Sequence, residues 1–359
     1  MKAKVELGAR RIASAHRRRA AFASRWMWLF AVASVLLISR AQAQQVLVLV
    51  GSGSTVPAPL YNRWSQEYEK RNPKIQMRYV PVGTEEGIKQ ISHDSGDFGA
   101  GEAPLTEKQR NEDGLTELPV ALIGIVPVYN LPEAHQDLRL SGEVLADIFL
   151  GVVKTWNAPQ IARLNPDVAL PDMPIHVIQR PAGKGSNYVF SDFLSKASAK
   201  FRTQIGVSAS PKWPVGEAAD RSSDMADKVK HQPGSIGYVE YQYAVKESLQ
   251  QAAVQNAATN FVKASPHGLA AACEESEAPA WRNFSASLVN ARGADSYPIT
   301  SFTWIYLRAK TSNSTRAAAL SGFLNWTFSD GQTLAQQEGY TALPTKLQAE
   351  LKRKLGELY

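Results

Sequence analysis

Gly51-Ser-Gly-Ser-Thr-Val-Pro-Ala-Pro-Leu-Tyr-Asn-Arg-Trp64 decides how the rest of the chain is read. The apolar run before it, Val46 to Val50, reads as a strand. Two glycines and small hydroxyl residues then make a turn, and Pro57 and Pro59 open a helix. Amides at such a helix start have no intrahelical partner, and the positive end of the helix dipole lies behind them. A turn of this kind suits a bound anion, although the motif alone is also found with purely structural roles. Leu60, Trp64 and Tyr68 give the helix one apolar face.

The same grammar returns further along. Ile75 to Val80 alternates as a strand, and Gly83-Thr-Glu-Glu-Gly87 leads into a short helix. Phe98 to Ala100 is another strand, and the apolar stretch Leu118 to Leu131, broken by Pro127, is the place for a first crossing between lobes. Leu145 to Phe149 and Ile161 to Leu164 read as helices. Ile175 to Ile178 is a strand that runs into Gln179-Arg-Pro-Ala-Gly-Lys-Gly-Ser186, again a glycine-rich turn, followed by a helix whose apolar face is Val189, Phe190, Phe193 and Leu194. Pro233 to Glu240 is a turn and a strand, Thr303 to Leu307 a strand after a return crossing near Tyr297-Pro298, and Leu347, Leu351, Leu355 and Leu358 stripe a terminal helix. Residues 255–292, rich in Ala, Ser and Asn, have no clear period. Short strands alternating with amphipathic helices define an α/β fold.

Residues 1–43 read as an export signal: a basic leader, an apolar run from Trp26 to Ile38, and Ala41-Gln42-Ala43 as a cleavage site. An uncleaved anchor is the alternative, against which Ser39 and Arg40 interrupt the apolar run. The segment dominates the charge. The chain has 40 basic and 33 acidic residues, but nine of the basic ones and one acidic one lie in 1–43, leaving 31 against 32. A nearly neutral mature chain gives no reason to expect nucleic acid. The 316 residues that remain favour two lobes over one core. The single cysteine, Cys273, excludes an internal disulfide and reads as a harmless thiol.

Enzyme signatures are sparse. The histidines lack metal-ligand spacing, Gly183-Lys184-Gly185-Ser186 lacks the full phosphate-loop pattern, Asp97-Phe98-Gly99 has no kinase catalytic loop beside it, and there is no G-x-S-x-G elbow. What remains is Arg180 at the end of a strand, where a planar guanidinium can hold an oxyanion through two hydrogen bonds or, equally, join a structural ion pair.

Taken together, Gly51 to Tyr61, Asp97-Phe-Gly-Ala-Gly-Glu-Ala-Pro-Leu105, Asp147-Ile-Phe-Leu-Gly-Val-Val-Lys-Thr-Trp-Asn157, Lys212-Trp-Pro-Val-Gly216, Pro233 to Glu240 and Tyr297-Pro-Ile-Thr300 resemble the phosphate-binding protein of Pst-type ABC transporters, over nearly all of residues 46–344. The resemblance implies a two-lobed periplasmic binding protein fold of type II with the ligand cleft between lobes. Lobe 1 would be 44–122 with 296–359, and lobe 2 would be 123–295. It implies a monomeric, non-enzymatic, cofactor-free protein, exported to the periplasm, that captures inorganic phosphate or a related oxyanion for an inner-membrane permease. A divergent sensor or interaction protein of the same fold, with a lost or altered ligand, is the alternative.

Carried over by motif, the anion ligands fall on Thr55, the backbone of Val56, Thr84, Glu102, Arg180, Lys184, Gly185 and Ser186. Several depart from the family pattern, which has aspartate at the place of Glu102, small residues at Glu85 and Glu86, and an aspartate and a serine at Ala182 and Lys184. Charge balance suggests that Glu85 or Glu102 replaces the lost carboxylate beside Arg180, with Lys184 offsetting it.

Overall fold

The computed structural model describes residues 46–134, 136–276, 284–308 and 314–358. The expected export signal lies outside the described residues. The chain opens with β1 (Leu47–Gly53), α1 (Ala58–Arg71), β2 (Ile75–Pro81), α2 (Thr84–Ser92), β3 (Phe98–Gly101), α3 (Glu107–Asn111) and β4 (Leu115–Tyr129). Then come β5 (Arg139–Leu140), α4 (Gly142–Phe149), α5 (Pro159–Ala162), β6 (His176–Gln179), α6 (Gly185–Ala197), α7 (Ala199–Gln204), β7 (Glu217–Ala218), α8 (Ser222–His231) and β8 (Ser235–Glu240). The chain continues through α9 (Tyr241–Lys246), β9 (Gln250–Gln251), β10 (Ala253–Gln255), β11 (Phe261–Val262), α10 (Pro266–Glu274), β12 (Thr300–Arg308), α11 (Ser314–Thr327), α12 (Asp330–Gln337) and α13 (Thr345–Leu358).

One sheet runs in the order β2-β1-β3-β12-β4-β8-β6-β7, with β9 also paired to β4, and a small sheet has the order β11-β10-β5. The long strand β4 joins two halves. Its residues 115–124 pair with β12, and its residues 125–129 pair with β8. Within each half, β1, β2 and β3 are mutually parallel, as are β6, β7 and β8. Loops that leave the carboxyl ends of parallel strands are the usual place for a ligand in such sheets. The turns 54–57, 82–84 and 180–185 all leave such ends.

Pro127 does not break β4, contrary to expectation from the sequence. It pairs opposite Tyr238, whose N–H is directed at Met225 Sδ at 3.1 Å, and its carbonyl accepts from Ala252 N–H at 3.0 Å. Pro119 is absorbed by a register shift at Thr303/Trp304. The stretch 255–292, without a clear period in the sequence, holds the last residue of β10, all of β11 and α10, with 277–283 outside the described residues; it is pinned by Asn256, whose Nδ2 donates to the carbonyls of Gly293, Ala294 and Ser296.

The apolar faces read from the sequence are the ones buried. Leu60, Trp64 and Tyr68 of α1 are buried, as are Val189, Phe190, Phe193 and Leu194 of α6 and Leu347, Leu351 and Leu355 of α13, whereas Leu358 at the end of the α13 stripe is half-buried. Two glycines set the close approaches around the first turn. A Cβ on Gly53 (φ +148°) would lie 2.0 Å from Ala100 O, and one on Gly87 would lie 2.4 Å from Gly53 Cα. A larger residue at 87 would push α2 off β1, and one at 53 would collide with the β3 backbone. Cys273 is buried, and burial pushes its thiol up to about 12, so it stays unreactive.

Candidate functional site

The first turn is tied down before it can hold anything. Ser54 N–H donates to Ala100 O at 2.9 Å, and Val82 and Gly83 both donate to Gly53 O at 2.8 Å, which locks the first and second turns together. Val56 N–H donates to Ser54 Oγ at 3.1 Å, and Val56 O accepts from Tyr340 Oη at 2.7 Å. The third turn hangs on the loop 208–210 and on Asn187. Gly183 and Lys184 N–H reach Ala209 O, and Asn187 Nδ2 donates to the carbonyls of Pro181 (2.7 Å) and Ala209 (3.1 Å).

The two halves of the sheet meet at these turns. Arg180 Nη2 lies 3.4 Å from Thr55 Oγ1, Glu85 N–H donates to Gly183 O at 3.4 Å, and Ser210 Oγ donates to Glu85 Oε2 at 2.8 Å. Thr55 is half-buried, whereas Thr84, Glu102, Arg180, Gly185 and Ser186 are buried. A Cβ on Gly185 would stand 1.8 Å from Glu102 Oε2 and 2.6 Å from Thr84 Oγ1. Glycine is therefore the residue that lets the start of α6 close on the other half.

Glu102 accepts from Thr84 Oγ1 at 3.1 Å and Thr303 Oγ1 at 2.9 Å, and Ser54 is a third hydrogen-bond partner. Burial outweighs these donors and, with a smaller contribution from the Glu240 carboxylate, raises the carboxyl to about 7. Near neutral pH it can either donate or accept.

Arg180 is 1 % exposed. Its Nη1 donates to Ser222 Oγ at 2.7 Å, its Nη2 to Asp220 O at 2.8 Å, and its backbone N–H to Tyr238 Oη at 3.1 Å. Nε has no hydrogen-bond partner among the described residues, and neither does the buried Ser186 Oγ. Two buried donors without partners are costly unless something accepts from them. Both carboxylate oxygens of the buried Glu240 also lack partners among the described residues.

The proposed exchange of carboxylates is not what the structure shows. Arg180 makes no hydrogen bond to Glu85 or Glu102, and Lys184 Nζ pairs instead with Asp220 Oδ1 at 2.8 Å. Glu85 is drawn to Ser210 and Glu86 to Gln90, so neither points its charge at the guanidinium. Sequence reasoning missed Ser54, Thr303 and Ser222. Ser54 sits in the quoted turn and was open to discovery there. Thr303 and Ser222 reach the site only through pairing of β12 and packing of α8, and a lone hydroxyl carries no local signal of that.

A family model described as the PBP superfamily domain matches residues 39–331. The phosphate-binding protein PstS of Pasteurella multocida is 35% identical over 327 residues, covering 90% of this chain and 95% of that protein. The chain belongs to the PstS family. PstS of Xylella fastidiosa is 34% identical over 308 residues, covering 86% of this chain and 84% of its own. Among solved structures, a phosphate binding protein from Stenotrophomonas maltophilia shares the fold at a TM-score of 0.65 and 17% identity, covering 86% of this chain and 94% of that one. For this PstS-family chain the periplasmic binding protein fold is thus established from both sequence and structure. Among the described residues no helix is long and apolar enough to cross a membrane, and no cluster of three or more His, Cys, Asp or Glu side chains could hold a metal ion.

Proposed function

We propose that the chain captures inorganic phosphate, without chemistry, and passes it to an inner-membrane ABC permease after export to the periplasm and cleavage following Ala43. The two halves of the sheet act as lobes, 44–122 with 296–359 and 123–295, and the anion is enclosed between them. Thr55, Thr84, Arg180, Gly185 and Ser186 supply the donors, with the backbone of Val56 and Lys184 at the edges of the cradle. The observation that carries this reading is a fully buried guanidinium whose Nε, like the neighbouring helix-start hydroxyl of Ser186, has no acceptor among the described residues. At neutral pH phosphate keeps a proton, so Glu102 can accept from it and discriminate against sulfate, which would oppose lone pair to lone pair.

A second reading has one observation in its favour. Glu102 Oε2 lies close against the start of α6, so the cradle already holds a carboxylate of its own, as a sensor or interaction protein without an anion would require. Calorimetric titration of the purified mature protein with phosphate and with sulfate separates the two. The transport reading expects phosphate heat, little or none with sulfate, and about a hundredfold loss in Arg180→Ala, the scale of a charge-assisted bidentate contact in a buried site. Absence of heat with either anion favours the second.

A further inference from the structure

The guanidinium of Arg180 is held in place by uncharged oxygens. Nη1 donates to Ser222 Oγ and Nη2 to the Asp220 carbonyl, while the Asp220 carboxylate is taken by Lys184 and is 71% exposed. Ser222 is buried and is the first residue of α8. Its approach to Arg180 is set by the sheet. Gln179 pairs with Ala218, and Ala219 N–H donates to Gln179 O at 2.8 Å, so residues 220–222 turn directly across the end of β6.

A hydroxyl orients the planar fork and leaves its charge for the ligand. Two other features agree with this division of labour. Nε, the nitrogen that Ser222 and Asp220 do not occupy, is the one without a partner among the described residues, and Nη2 also faces Thr55 on the opposite half. We propose that Ser222 is a positioning residue that sets the oxyanion affinity of the site by aiming the Arg180 guanidinium through a neutral acceptor. The inference rests on the phosphate reading of the same site.

The test is phosphate titration by calorimetry on the parent protein, Ser222→Ala, Ser222→Thr, and Ser222→Ala in an Arg180→Lys background. Removing one buried charge-assisted hydrogen bond should weaken binding about tenfold in Ser222→Ala, with Ser222→Thr restoring it to within about twofold. In the Arg180→Lys background, whose compact ammonium has no fork to aim, Ser222→Ala should cost less than about twofold further. Equal losses in the two backgrounds, full affinity in Ser222→Ala, or no rescue by threonine would each overturn the inference while leaving phosphate binding intact. A parent protein that binds no phosphate would overturn the phosphate reading and this inference with it.

Discussion

Glu102 illustrates how much one methylene can change. It reaches hydroxyls on three separate elements and lies close against Gly185, and its buried carboxyl is raised to about 7. In the unfolded chain the same group has the ordinary value near 4.5. The folded state therefore binds more protons between these two values, and stability falls as pH rises through that window. The contribution of the neutral form is complete below about pH 4.5 and is lost by the time pH passes 7, a change of about 3 kcal/mol for this group. Urea unfolding of the phosphate-free protein from about pH 5 to 8 should show that decline, and Glu102→Gln should flatten it. A parent and variant with parallel pH profiles would mean that the carboxylate is already ionised throughout. Position 102 was legible from its motif, but its state was not, because protonation depends on burial by a strand 201 residues away.

At the scale of elements, Asp97 shows a motif whose meaning is structural. The tripeptide Asp97-Phe98-Gly99 has the letters of a kinase signature, yet the Asp97 carboxylate accepts from Val50 N–H at 2.7 Å and from Arg316 Nε at 2.6 Å. Arg316 also donates to Val48 O at 2.7 Å, so one ion pair fastens α11 to β1 and to the start of β3. Asp97→Ala should cost about 2 kcal/mol, below the range for a fully buried pair because the Arg316 side chain is 35% exposed. The urea midpoint measures it, and an unchanged midpoint would refute the tie. Strands and helices with a strong period, such as β1, β2, α1 and α13, were readable from the chain. The helix α11 was not, because its buried set, Ala319, Leu320, Phe323 and Leu324, is diluted by small and polar neighbours such as Ala317, Ala318, Ser321 and Gly322, which leave no sharp apolar face. The hairpin of β10 and β11 is held by the polar anchor Asn256, which no hydrophobic pattern can reveal.

For the whole molecule, the contacts that join the two halves at the site are chemically distinct from the core. Ser210 Oγ to Glu85 Oε2, Glu85 N–H to Gly183 O, and Arg180 to Thr55 bridge them. Glu85 is exposed, and one exposed side-chain contact contributes a fraction of a kcal/mol. Glu85→Ala should therefore weaken phosphate binding by about threefold, mainly through faster release measured by stopped flow. An unchanged release rate would show that this contact does not help to hold the halves together. That the three turns would come together could be anticipated, because each ends a strand in the same grammar. Which donor faces which could not, since the partners of Arg180 come from α8 and from the opposite half.

The most direct measurement is a crystal structure of the mature protein with phosphate. Phosphate oxygens should accept from Arg180 Nε and Ser186 Oγ, with Thr55 and Thr84 within hydrogen-bond distance and Ser222 still bound to Nη1. Phosphate bound elsewhere, with Nε and Ser186 Oγ not contacting it, would contradict the assignment of these turns as the receptor.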